Sequence, residues 1–174
     1  MTRRLWSPGS RIALPRIIFF VLLLTAAGIT ALWRGAGVSG CIPEQFPNRW
    51  LEAQETAGGH TISQHIGKPD QWLISRLNNQ PTISAASSFT DLSEARLSIR
   101  AALTQHRAKI NNWVANARGP KNQAWSYDGN GFLGRIAERP ASLGSIKTTT
   151  DLKVVIKTDG KDGCTLLTAY PTPD

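Results

Sequence analysis

Leu92, Ala95, Ile99, Ala102, His106, Ile110, Trp113 and Ala117 succeed one another at three- and four-residue steps. That spacing defines one face of an α-helix, and a face that stays apolar for so many turns has to be covered by another layer. Asp91 and Glu94 stand at capping-box spacing at its head, and Gly119-Pro120 ends it. The cover is legible in the tail. Leu152 to Lys157 (LKVVIK) and Cys164 to Tyr170 (CTLLTAY) flank TDGKDG, and two strands around a glycine-rich turn predict a β-hairpin. Upstream, Trp50 to Asn79 reads as helix in two pieces punctuated by Gly67 and Pro69, with Pro69-Asp70 suited to the first turn of the second piece. Lys121 to Thr150 is rich in Gly, Ser and Asn with scattered aromatics, which predicts turns and short strands. Helices come first and strands later, so the expected class is α+β, with helices packed on one side of an antiparallel sheet.

The chain of 174 residues has room for one domain of ordinary size besides its leader. Ile17 to Trp33 (IIFFVLLLTAAGITALW) carries no charge; as a helix it would span roughly 25 Å, the short end of what crosses a bilayer. Four arginines precede it and Arg34 follows, so the positive-inside bias places the N-terminus in the cytoplasm and the body on the far side. The expected organisation is a basic cytoplasmic N-terminus (1–16), a single transmembrane anchor or uncleaved signal (17–34), a Gly/Pro-rich linker (35–48) and one domain (49–174). A cleaved signal peptide is the alternative, and Val38 to Cys41 (VSGC) resembles a lipobox, although Arg34 between it and the apolar run argues against lipidation.

Net charge is +8, but the first 41 residues hold five arginines and no acid. The remainder has 15 basic and 12 acidic residues, a mild +3 that is compatible with a polyanionic ligand without requiring one. Most of the basic character therefore belongs to the leader. Cys41 and Cys164 are consistent with a disulfide, with two free thiols, or with one lipidated and one buried cysteine. No Cys/His spacing suits zinc, so no metal is expected.

Two of the three histidines, His60 and His65, fall in AGGHTISQHIGK. Five residues apart on a continuous helix they would diverge by about 140°, so both meet one atom only if a helix starts between them. A histidine pair taken alone is more often structural than catalytic. His106, on the buried stripe of the long helix, reads as a packed or hydrogen-bonded core residue. Arg76 reads by itself as a solvated helix charge. Thr168 and Tyr170, two apart on a predicted strand, face the same way, with Cys164 and Leu166 ahead of them on the same alternation, so all four suit a core. Two buried hydroxyls side by side nonetheless need partners.

GGHTISQHIGK followed by WLISRL, then ASSFTDLSEA with the helix closing near INNW, and finally VVIK and LLTAYP, resemble the ribonuclease A-like toxin domain at the C-termini of bacterial contact-dependent growth inhibition proteins. The resemblance runs from about Gly58 to Pro171. It implies a ribonuclease A-like fold and a metal-independent endoribonuclease without cofactors that cleaves RNA, tRNA among the candidates. By position it implies an active site of His65 or His60, Arg76, Thr168 and Tyr170, with His65 preferred for its spacing to Arg76. The chemistry is consistent: a histidine base or acid, a planar cation for phosphate, and hydroxyl donors for the developing charge. RNA is not expected beyond a bacterial inner membrane, so the domain would be released or delivered into a neighbouring cell, and the producing cell would need an immunity protein. Alternatives from other classes are a non-catalytic, membrane-tethered binding domain of the same fold and a periplasmic lipoprotein acylated at Cys41.

Overall fold

The stripe from Leu92 to Trp113 forms a helix, here α4 (Leu92–Ala115), which ends before Ala117, and it is preceded by α1 (Trp50–Thr56), α2 (Thr61–His65) and α3 (Asp70–Asn79). The computed structural model describes residues 40–161 and 163–174, and Ser39–Asp174 form one compact unit. Residues 17–34, where the anchor reading falls, lie outside the described residues. Among the described residues no helix is long and apolar enough to cross a membrane.

At the head of α4 the Asp91 carboxylate accepts the Glu94 backbone N–H at 2.9 Å, satisfying one of the orphan donors of the first turn. Ala95, Ile99, Ala102, Leu103, Ile110 and Val114 are buried on its inner face. His106 is only half-buried and donates from Nε2 to the Ser126 carbonyl at 2.8 Å, a hydrogen-bonded structural role.

The described residues form six strands, β1 (Ala85–Phe89) ahead of α4 and β2 (Lys121–Asp128), β3 (Gly134–Glu138), β4 (Ile146–Thr149), β5 (Asp151–Thr158) and β6 (Cys164–Thr172) after it. They make two antiparallel three-stranded sheets, ordered β1-β3-β4 and β2-β5-β6, where a single sheet was expected. On β5 every second side chain, Leu152, Val154 and Ile156, is buried in the main core that α4 covers. A smaller core seats Leu73 and Leu77 of α3 on Ala86 and Ala137 of the other sheet. Burying a leucine fully contributes roughly 1.5–3 kcal/mol, so these two residues hold α3 in place. The Ser87 hydroxyl of β1 donates to the Pro171 carbonyl of β6 at 2.6 Å and links the two sheets.

The expected hairpin is present, with one irregularity that matters for the site. Val155 of β5 pairs with Thr168 and Ile156 pairs with Leu166, so Leu167 is an extra residue, a β-bulge. An extra residue reverses the alternation. Leu166 joins Ile156 in the core, whereas Thr168 and Tyr170 share the opposite face with Val155 and Lys153. The shared face expected for Cys164, Leu166, Thr168 and Tyr170 is thereby corrected.

Trp50 to Asn79 breaks in two places, because Ala57-Gly58-Gly59 interrupts it as well as Gly67-Lys68-Pro69. The helices cover the open edge of β6: Gln54 Oε1 accepts from Leu166 N–H, His60 N–H donates to the Leu167 carbonyl, and Thr61 Oγ1 accepts from Ala169 N–H, each at 2.9 Å. These bonds need a close approach at Gly59. A Cβ there would lie 2.6 Å from the Leu166 carbonyl oxygen and 2.8 Å from that of Gln54, both backbone atoms with little room to yield. Gly59→Ala is therefore expected to cost about 2–3 kcal/mol, read as a lowered urea midpoint; a change under about 0.5 kcal/mol would mean the latch is loose.

Cys41 and Cys164 form a disulfide with Cα atoms 5.6 Å apart. A Cys41 sulfur held in this bond is not free for the acylation that the lipoprotein alternative requires. Ile42 is buried and its N–H donates to Asn111 Oδ1 at 2.8 Å, so the chain from Cys41 packs onto the domain instead of serving as free linker.

Candidate active site

A cleft of about 500 Å³ opens along the seam between the two sheets, and His60, His65, Arg76, Thr168 and Tyr170 all line it. Each arrives from a different local cause. His60 is the N-cap residue of α2 and His65 its last residue, so the helix does start between them and the divergence of a continuous helix does not apply. Glu55 accepts from the N–H groups of Ile62 and Ser63 at 2.9 Å each and so caps α2, fixing the segment that carries both rings. Arg76 projects from α3. Thr168 and Tyr170 reach the cleft because of the Leu167 bulge.

His65 is 93 % buried, and its Nδ1 lies 3.3 Å from the Ser87 carbonyl oxygen. A carbonyl only accepts, so Nδ1 carries the proton and Nε2 keeps its lone pair. Burial, reinforced by the positive charge of Arg76 and only partly offset by the bond to Ser87, brings the imidazole pKa down to about 4. The ring is neutral at pH 7. It lies against Tyr170, with ring centroids 5.2 Å apart, and burial raises the Tyr170 phenol, which stays protonated.

Stability should follow this histidine. The unfolded chain protonates it near 6.5 and the folded chain only near 4, so the unfolded state binds more protons throughout that window. As pH falls from 6.5 to 4 the His65 contribution should reduce unfolding free energy by about 3 kcal/mol. Urea titrations of the parent chain and His65→Gln across this range should show a steeper pH slope for the parent; equal slopes would contradict the buried neutral ring.

Arg76 stacks over Trp72 with its guanidinium carbon 5.2 Å from the ring centroid. Burial lowers its pKa, but a guanidinium keeps its charge in proteins. Its Nε and Nη1 are buried with no hydrogen-bond partner among the described residues, and so is Thr168 Oγ1. Buried donors without partners cost roughly 1–3 kcal/mol each and are rare in natural cores. A cation, two of its N–H groups and a hydroxyl left unpaired on one cleft suit a ligand with several anionic oxygens.

Lys153 lines the same cleft and was not singled out from the sequence. The signal was its place on the alternating face of LKVVIK that the core does not use; the register opposite Tyr170 exists only in the fold. Among the described residues no group of three or more His, Cys, Asp or Glu side chains is arranged to hold a metal ion.

A neutral histidine, unpaired cationic donors and hydroxyls thus share one cleft. The model of the bacterial CdiA-CT RNAse A domain family matches residues 59–171. The chain belongs to that family and so carries a ribonuclease toxin domain. A chain in the crystal structure of the CdiA-CT/CdiI complex from Y. kristensenii 33638 is similar at 27% identity and a TM-score of 0.58, over 66% of this chain and 100% of that one. No curated protein matches.

Proposed function

We propose that the domain is a metal-independent endoribonuclease that cleaves RNA by attack of the 2′-hydroxyl on the adjacent phosphodiester. The observation that carries this reading is the set of buried, unpartnered donors of Arg76 and Thr168 on the cleft that also holds neutral His65. His65 Nε2 takes the 2′-hydroxyl proton, and the 2′-oxygen bonds to phosphorus. Arg76 and Thr168 meet the charge that develops on the non-bridging oxygens. The bond from phosphorus to the 5′-oxygen breaks, and that oxygen takes a proton from Tyr170 or from His60, which also lines the cleft. Atoms balance with a 2′,3′-cyclic phosphate and a 5′-hydroxyl as products. His60 as base is the second assignment.

The similar Y. kristensenii chain was crystallised in complex with CdiI, which supports a further step: this domain too would be held inactive by a cognate immunity protein until delivery into a neighbouring bacterium. Under this reading residues 17–34 tether the chain to the producing cell's inner membrane, with the domain outside the cytoplasm.

The test is the chemistry of the ends. Cleaved RNA should carry 2′,3′-cyclic phosphates, and a strand with a single 2′-deoxy substitution at the cleaved position should resist. Cleavage of the deoxy strand at an equal rate would overturn the 2′-hydroxyl mechanism.

A further inference from the structure

Lys153 sits directly opposite Tyr170 in the β5–β6 ladder, where facing Cβ atoms lie about 5 Å apart on the same side of the sheet. Tyr170 in turn packs on His65. Leu152 and Val154, on either side of Lys153, point into the core, so the lysine has to point the other way, into the cleft it lines. Among the described residues the ion pairs are Arg96–Glu52, Arg135–Asp70 and Lys147–Glu138, and none involves Lys153. The nearest acid on its face of β5 is Asp151, two residues back. That carboxyl lies beside Asp128 and is hydrogen-bonded to the Thr150 hydroxyl. No carboxylate lines the cleft among the described residues.

The charge requirement of the reaction points to the same residue. A phosphodiester carries one negative charge, and the pentacoordinate arrangement formed when the 2′-oxygen adds carries a second on the non-bridging oxygens. Arg76 supplies one fixed positive charge. We propose that Lys153 is a catalytic residue that donates from its ammonium to a non-bridging phosphoryl oxygen and supplies the second. Its charge is most useful once the extra negative charge has formed, so it acts on turnover more than on ground-state binding. Tyr170 lies opposite Lys153 in the ladder and packs on His65, so the three side chains share one stretch of the cleft.

This inference rests on the ribonuclease reading, and the experiment separates the two. Single-turnover and steady-state cleavage would be measured for the parent chain, Lys153→Gln, Lys153→Arg and Arg76→Met, with binding of the uncleavable 2′-deoxy strand measured alongside. Lys153→Gln should lower kcat about 100-fold with less than a fivefold change in KM and in affinity for the deoxy strand, and Lys153→Arg should recover at least tenfold of the loss. An unchanged thermal midpoint excludes misfolding of the Gln variant. An active parent with Lys153→Gln within twofold overturns the role of Lys153 and leaves the ribonuclease standing. So does a loss confined to KM. A folded parent chain that cleaves no RNA overturns both.

Discussion

Replacing Arg76 with Met should abolish RNA cleavage, with a loss of about a thousandfold or more in kcat/KM, and should leave the domain as stable or about 1 kcal/mol more stable. The two outcomes have one cause. The guanidinium is half-buried with Nε and Nη1 unpartnered, a conformation the fold keeps at a cost. Methionine removes that cost while retaining an unbranched side chain against Trp72, forgoing a cation–π contact of about 0.5–1 kcal/mol. Rate and urea midpoint measured on the same preparation decide it. Retained cleavage would mean another cation meets the phosphate, and a loss of 2 kcal/mol or more in stability would mean Arg76 is structural.

The second large effect is on the fold. Breaking the Cys41–Cys164 bond, by reduction or by paired Cys→Ser substitution, should lower unfolding free energy by about 3–5 kcal/mol. The bond closes a loop with a sequence separation of 123 residues, and the chain-entropy account gives its largest values for loops of that length. It also holds Ile42 in the core beside the long helix. Urea unfolding with and without reductant is the measurement. A difference below 1 kcal/mol would show that packing of Ile42 and its bond to Asn111 already fix the segment. The effect on cleavage at 20 °C should be within a few-fold, because the bond joins the start of β6, whereas Thr168 and Tyr170 sit past the bulge and the other cleft residues named here lie on other elements.

Features governed by local periodicity were legible in advance. The stripe of α4, the Asp91 cap and the hairpin around TDGKDG follow from spacing and turn chemistry, and the structure has all three. β1 was not anticipated, because AASSF has weak strand propensity and is ordered by β3 on one side and by helices and β6 on the other. The break at Gly58-Gly59 is illegible in the sequence for a similar reason, since Gly59 is demanded by contact with Leu166, a residue more than 100 positions away.

The site divides along the same line. Residues carried by the family resemblance came from the sequence, and all five line one cleft. Their geometry did not, because it depends on the bulge at Leu167, and nothing in TLLTAY marks where an extra residue will fall. Lys153 stayed hidden because an alternating lysine on a strand normally faces water. The cysteine pairing is a contact through space that two distant residues cannot announce.

The most direct test of the ribonuclease reading is cleavage of total RNA and of tRNA by the purified chain with EDTA present, beside His65→Ala and His60→Ala. The account predicts cleavage that EDTA does not diminish and that His65→Ala abolishes, with His60→Ala slower but active. Intact RNA in the presence of a folded parent chain, or full activity in both histidine variants, would contradict it.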